Sequence, residues 1–224
     1  MLPCYAHALN RIIERFRATI AAIFSGHRHL DLFQVYYRPL SPNNASTMRS
    51  SRMIHNTSRE AVAINYITPS LTSERGRPAF RIYDVDPATW AVVDYTVYVA
   101  DYEPWRPGLP PHGAAKLTWK KYYSAREAYG TRTEEDGLSP AFWDELTVRM
   151  AGNETLFEEW WARRTRGSWV TPCRGVCRRR EICYMRGGPD EGEGEGWEGC
   201  PGSVLTTRGR HGHGVAWMGR WMME

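Results

Sequence analysis

No run of 18 or more apolar residues occurs in the 224-residue sequence, so no segment has the length and character of a membrane-spanning helix. The first residues, Met1 to His7, lack the long apolar centre of a secretory leader. No large excess of one charge is present either. Lys and Arg number 29 against 25 Asp and Glu, a net +4, and the basic residues are interspersed with acidic ones. The densest basic run, Arg178 to Arg180, sits among cysteines rather than on a basic stripe. A nucleic-acid partner is therefore not expected. Cysteine is scarce: five in all, four of them at Cys173, Cys177, Cys183 and Cys200, with no C-x-x-C knuckle.

What the chain has is aromatic and apolar mass. Hydrophobic residues make up 42%, enough for a sizeable core, and the 10 Trp and 12 Tyr are many for this length. Core packing is their first use, and a groove for a lipid or sugar is the second. The stretch that organises the rest is Thr19 to Tyr37. An apolar run, Ile20 to Phe24, reads as a buried strand. Ser25-Gly26 reads as a tight turn, with no Cβ at Gly26 to obstruct it. His27 and His29 follow, then Asp31, then a second strand over Phe33 to Tyr37. In extended backbone, residues two apart point the same way, so two imidazoles would face one point beyond the strand end. Neutral imidazole is a common zinc ligand. The alternative is that both histidines are ordinary loop residues.

The rest of the pattern predicts an α+β fold. Ala8 to Phe16 reads as a helix. Pro39 to Arg59 reads as an exposed polar loop, and Glu60 to Ile67 as a strand. Ala79 to Val85 and Trp90 to Val99 read as a hairpin across Asp86 to Thr89, with Phe80, Ile82, Val93, Tyr95, Val97 and Val99 at period two. Four prolines and two glycines between Pro104 and Gly113 mark a boundary. Beyond it the spacing predicts helices over Ala114 to Tyr129, Ser139 to Met150 (with Ser139 as cap and Pro140 first) and Glu154 to Arg164. Residues 186–224 hold more than half of the 20 glycines, including the acidic run Pro189 to Gly196. Disorder is expected after Cys200.

The Gly-His-x-His after a strand resembles the metallophosphoesterase superfamily. His29 to Tyr37, Ala63 to Thr72, Phe80 to Asp86 and Tyr123 to Gly130 are each similar to segments of acid sphingomyelinases, over about residues 8 to 200. The resemblance is to the C-terminal part of such enzymes. It implies that residues 1–104 are the end of the metallophosphoesterase domain, a mixed sheet, that 105–200 form a disulfide-stapled helical subdomain, and that 201–224 are a tail. It implies two zinc ions, with His27 and His29 each ligating one, and Asp31 orienting an imidazole. Arg28 stands where a small residue is usual. The family's upstream Asp-x-His, Gly-Asp and Gly-Asn-His motifs do not occur in this sequence, and no catalytic acid is assigned within it.

For the four clustered cysteines, disulfides and zinc ligation are both open, with disulfides favoured by the missing knuckle. The resemblance pairs Cys173 with Cys177 and Cys183 with Cys200, and leaves Cys4 odd. Sequons at Asn44, Asn56 and Asn153 add weak support for a glycosylated, secreted or lysosomal protein. The expectation is that the leader and the missing ligands lie upstream of Met1. The function implied is hydrolysis of sphingomyelin to ceramide and phosphocholine, with a phospholipid substrate and contact with a membrane surface through it. The alternatives are a nucleotide phosphodiesterase, or a truncated, non-catalytic binding module.

Overall fold

The computed structural model describes residues 3–39, 59–101, 118–130, 137–168 and 171–187. It is α+β, with two three-stranded sheets and five helices among the described residues. The expected tail, the 39–59 loop and the proline-rich boundary lie outside the described residues or nearly so.

Helix α1 (Pro3–Arg15) precedes β1 (Ile23–Ser25), β2 (Leu32–Pro39) and β3 (Arg59–Ile67). β3 is central in the first sheet, antiparallel to β2 and parallel to β1. The predicted strand over Ile20 to Phe24 contracts to three residues, because only Ile23, Phe24 and Ser25 find partners on β3. β2 and β3 supply Leu32, Phe33, Val35, Ile64, Tyr66 and Ile67 to the core.

The second sheet is the predicted hairpin plus one strand. β4 (Ala79–Val85) and β5 (Val92–Asp101) pair antiparallel, and β6 (Thr118–Ser124) completes the order β4-β5-β6. The hairpin turn closes with Asp86 Oδ1 accepting from the Ala88 amide at 2.7 Å. The period-two face holds at Tyr95, Val97 and Val99. It slips at the hairpin end: a register shift after Asp84 sets Val85 opposite Val92, and Val92 is buried where Val93 was expected.

The helix expected over Ala114 to Tyr129 is a correction. Residues 118–124 form β6, and only Ala125–Tyr129 are helical (α2). Thr118, Trp119, Tyr122 and Tyr123 favour a pleated surface, and β5 offers an open edge to pair with. Ser124 then stops the strand and starts the helix. Its side chain accepts from the Glu127 amide while Glu127 caps back, a complete capping box. β6 lies beyond the expected boundary near residue 104 and pairs with a strand before it.

Helix α3 (Pro140–Gly152) starts at Ser139, whose hydroxyl accepts from the Phe142 amide at 3.2 Å. Helix α4 (Glu154–Arg164) starts at Asn153, which caps the Leu156 amide. A further helix, α5 (Val176–Met185), was not expected from the sequence. It packs against α3 and β2 through Ile182 and Met185. Cys173 and Cys177 are joined, stapling the approach to α5 onto its first turn. Cys183 is disulfide-bonded as well, and the Cys200 half of the expected pairing lies outside the described residues.

The layers meet on Trp143 of α3, which is wholly buried. Phe33 lies 4.4 Å from it, centroid to centroid, Tyr66 at 5.8 Å, Tyr129 at 5.9 Å and Tyr95 at 6.2 Å. The polar ends are satisfied: the indole N–H donates to the Tyr66 hydroxyl, which donates to the Leu138 carbonyl. Beside this cluster the Arg81 guanidinium pairs with the Asp31 carboxylate, their side chains 1% and 3% exposed. The Tyr123 hydroxyl donates to the other Asp31 oxygen at 2.9 Å. Arg81 also lies over the Tyr95 ring, 4.4 Å from its centroid. Removing one member leaves a buried charge unpaired. Arg81→Met should therefore cost about 3–5 kcal/mol in urea unfolding. The double variant Asp31→Leu/Arg81→Met should be less destabilised than the single. A single variant as stable as the parent chain would show that the pair carries no such role.

Candidate functional site

The Gly-His-x-His segment is a turn fastened at both ends. Ser25, the last residue of β1, accepts through its carbonyl from the Thr68 amide at 2.8 Å and the Thr68 hydroxyl at 3.1 Å. Its own hydroxyl donates to Asn65 Oδ1. At the other end the Asp31 amide donates to the Arg164 carbonyl at 3.0 Å, at the C-terminus of α4. Between them the Arg28 amide donates back to the Gly26 carbonyl. His27 and His29 both have positive φ, 72° and 57°. An extended segment with a common side-chain direction was expected. The observed geometry is left-handed at both histidines, and the turn sets where each ring goes. Such a backbone costs a non-glycine residue about 1–2 kcal/mol, so the anchors on either side hold it in place.

His27 is exposed and His29 half-buried. The His29 ring is held through Nδ1, which lies 2.8 Å from Glu74 Oε2 and 3.2 Å from Thr72 Oγ1. Thr72 is itself held by Ser70, hydroxyl to hydroxyl at 2.7 Å. A carboxylate on Nδ1 makes that nitrogen the donor and leaves the Nε2 lone pair outward, as in a metal-ligating histidine. Two imidazoles match two positions of a metal's shell, where structural sites use four ligands and catalytic ones three plus water. Among the described residues no group of three or more His, Cys, Asp and Glu side chains is placed to hold an ion.

Asp31 faces inward. Among the described residues its carboxylate is bonded to Arg81 and Tyr123, and the carboxylate on the His29 ring is Glu74. Burial, then the Asp31 charge, raise the Tyr123 hydroxyl well above its ordinary pKa, so it remains a donor. Glu74 was missed because nothing in its local spacing marks it. It sits 45 residues from His29 and meets it only because β1 and β3 run side by side.

The surroundings are basic. Arg28 stacks on Tyr184, 5.3 Å from the ring centroid, and Arg164 on Trp161 at 3.5 Å. Burial lowers the Arg164 pKa, Glu181 opposes that, and the charges of Arg28 and Arg75 lower it further. Of the sequons, Asn153 is exposed with its Oδ1 engaged as a cap, and Asn44 and Asn56 lie outside the described residues.

No family-level sequence profile matches the chain. Individual proteins do. Sphingomyelin phosphodiesterase 1 of Caenorhabditis elegans is 34% identical over 189 residues, which is 84% of this chain and 29% of the relative. The human sphingomyelin phosphodiesterase is 29% identical over 180 residues, 77% of this chain and 24% of the relative. Sphingomyelin phosphodiesterase A of Dictyostelium discoideum is 26% identical over 179 residues, 80% and 26%.

The chain belongs to the acid sphingomyelinase-like family.

It spans less than a third of the length of these relatives.

One carboxylate near the turn gives the site a pH signature. Burial raises the Glu181 pKa above its ordinary 4.5, against the charges of Arg164, Arg28 and Arg180. The folded chain thus holds that proton more tightly than the unfolded one. The contribution is complete below about pH 4.5 and is lost as pH rises through the folded value. Glu181→Gln should flatten the fall in stability with rising pH over that window. Parallel stability–pH curves for the two proteins would contradict it.

Proposed function

We propose that this chain supplies the histidine-turn portion of a phosphodiesterase site acting on sphingomyelin, releasing ceramide and phosphocholine. The observation that supports this best is the Glu74–His29 contact on a left-handed turn, in a chain of this family. His27 and His29 would be the metal-holding residues, and the metal that the family resemblance implies is zinc. A pair of zinc ions in such a site polarises phosphoryl oxygens and makes a bound water acidic. Glu74 fixes the ring of His29, and the turn's anchors at Ser25 and Asp31 keep both imidazoles at the end of β1. Arg28 and Arg164 add positive charge on the same side, which suits an anionic phosphodiester. The two-layered α+β core is then the C-terminal part of a metallophosphoesterase sheet with its stapled helices. The disulfides fit an oxidising, secretory or lysosomal setting, and a lipid substrate would bring the protein to a membrane surface.

A count of ligands favours a second statement, that these 224 residues by themselves turn over nothing. Two imidazoles leave a metal underbound, and the sequence holds no residue assigned to protonate the leaving group, a step worth about 10²–10⁴-fold. The purified chain should hydrolyse neither sphingomyelin nor a chromogenic phosphodiester, with or without added zinc. Joined behind the upstream region of the Caenorhabditis elegans relative, it should show zinc-dependent turnover that His27→Ala or His29→Ala abolishes. Turnover by the isolated chain would overturn the partial-site reading. Full activity of the joined protein carrying either alanine would overturn the assignment of the histidines.

A further inference from the structure

Arg166 lies two residues past the end of α4, is wholly buried, and has positive φ, 54°. Its guanidinium is spread over three chain segments. Nη1 donates to the His29 carbonyl at 3.0 Å and to the Arg164 carbonyl at 3.1 Å. Nε donates to the Arg77 carbonyl at 2.9 Å. Arg77 is tied to the same turn from its other side, its amide donating to Ser168 Oγ at 2.9 Å. Gly76, φ 129°, closes the approach. A Cβ there would come within 2.8 Å of Arg166 Nη2 and 2.3 Å of the Thr165 carbonyl oxygen. Residues 70–77 carry Thr72 and Glu74, the two side chains on the His29 ring.

We propose that Arg166 is a positioning residue for His29: one buried guanidinium holds the His29 backbone and the loop bearing Glu74, and so fixes which ring nitrogen of His29 is free. The value of that placement for catalysis rests on the reading of His29 as a metal ligand. The placement itself does not. Glu74 is largely exposed, with 73% of its side chain accessible, and an exposed carboxylate–imidazole contact is weak when both partners move independently. Anchoring both segments to one buried fork removes that freedom, which is what pre-organisation of a ligand requires. Lysine cannot replace the fork, because its single ammonium does not present Nε and Nη1 in a fixed plane.

The test uses the full 224-residue chain, uniformly ¹⁵N-labelled, in alkaline buffer where the ring is neutral. Long-range ¹H–¹⁵N correlations report which His29 nitrogen carries the proton. Zinc affinity is read separately by competition with a chromophoric chelator. In the parent chain His29 should be the Nδ1–H form. Arg166→Met should give a mixture of both forms and bind zinc about 10–100-fold more weakly, and Arg166→Lys should fall between. Gly76→Ala, which displaces the loop without changing a charge, should reproduce the mixed ring signal. A folded Arg166→Met with the parent's ring signal and zinc affinity overturns the proposal. So does an Arg166→Lys protein indistinguishable from the parent in both, which serves as the criterion if the methionine variant does not fold. If parent and His29→Ala bind zinc equally, the metal reading fails, and the ring signal still decides the role of Arg166.

Discussion

The Asp31–Arg81 pair is the constraint on which the arrangement depends. Asp31 ends the histidine turn and immediately precedes β2, in the first sheet. Arg81 is in β4, and Tyr95 and Tyr123 come from β5 and β6, all in the second. Burial pulls the Arg81 pKa down, but Asp31 and the nearby tyrosines push it up by more, so the net shift is upward and the guanidinium stays charged. A charge kept in so dry a place has to stay near its partner, because separating the two would cost several kcal/mol per ion. The two small sheets are therefore locked in one relation, and the turn that carries His27 and His29 is locked with them.

The aromatic cluster around Trp143 acts differently. It supplies area and shape, and its tolerance of tilted and stacked ring pairs lets α3 sit over both sheets at once. Apolar contact alone is non-directional. Registration comes from the few polar ends inside it: the Trp143–Tyr66–Leu138 chain of hydrogen bonds and the Tyr123–Asp31 bond. Among the described residues Trp143, Trp160, Trp161, Tyr66, Tyr95, Tyr123 and Tyr129 are buried in the core, while Trp90 and Trp119 are exposed.

Local signals in the sequence were sufficient for most elements. β3, β4 and α4 lie within a residue of their expected bounds, because runs of β-branched and aromatic residues and a capping residue act over a few neighbours. The failures share one cause. β6 was read as helix because Ala125 to Tyr129 is helical and the preceding residues carry no alternation. The open edge of β5 decides their state, and that edge lies more than 15 residues away. α5 was hidden by a basic run, of which Arg178 donates to the Met150 and Ala151 carbonyls of α3. At the site, the histidines were legible as a motif. Their left-handed backbone, the inward turn of Asp31, and the roles of Glu74 and Arg166 were not, since each depends on segments 40 to 140 residues apart.

The site also shows why α4 ends where it does. Its last carbonyls are the unsatisfied acceptors that every helix leaves at its C-terminus. Here one of them, Arg164 O, accepts both from the Asp31 amide of the histidine turn and from Arg166 of its own chain. The helix end thereby becomes a fixed platform, with Arg166 reaching from it to His29 and to Arg77. The strain of two left-handed histidines is borne by bonds from three places: Thr68 just past β3, Arg164 at the end of α4, and the Arg166 guanidinium. A turn held only by its neighbours in sequence would relax. This one is over-determined from outside, which is the condition under which strained backbone persists at a functional site. The helical part of the chain and the histidine turn are for that reason one mechanical unit, and neither can be judged by its own segment of the sequence.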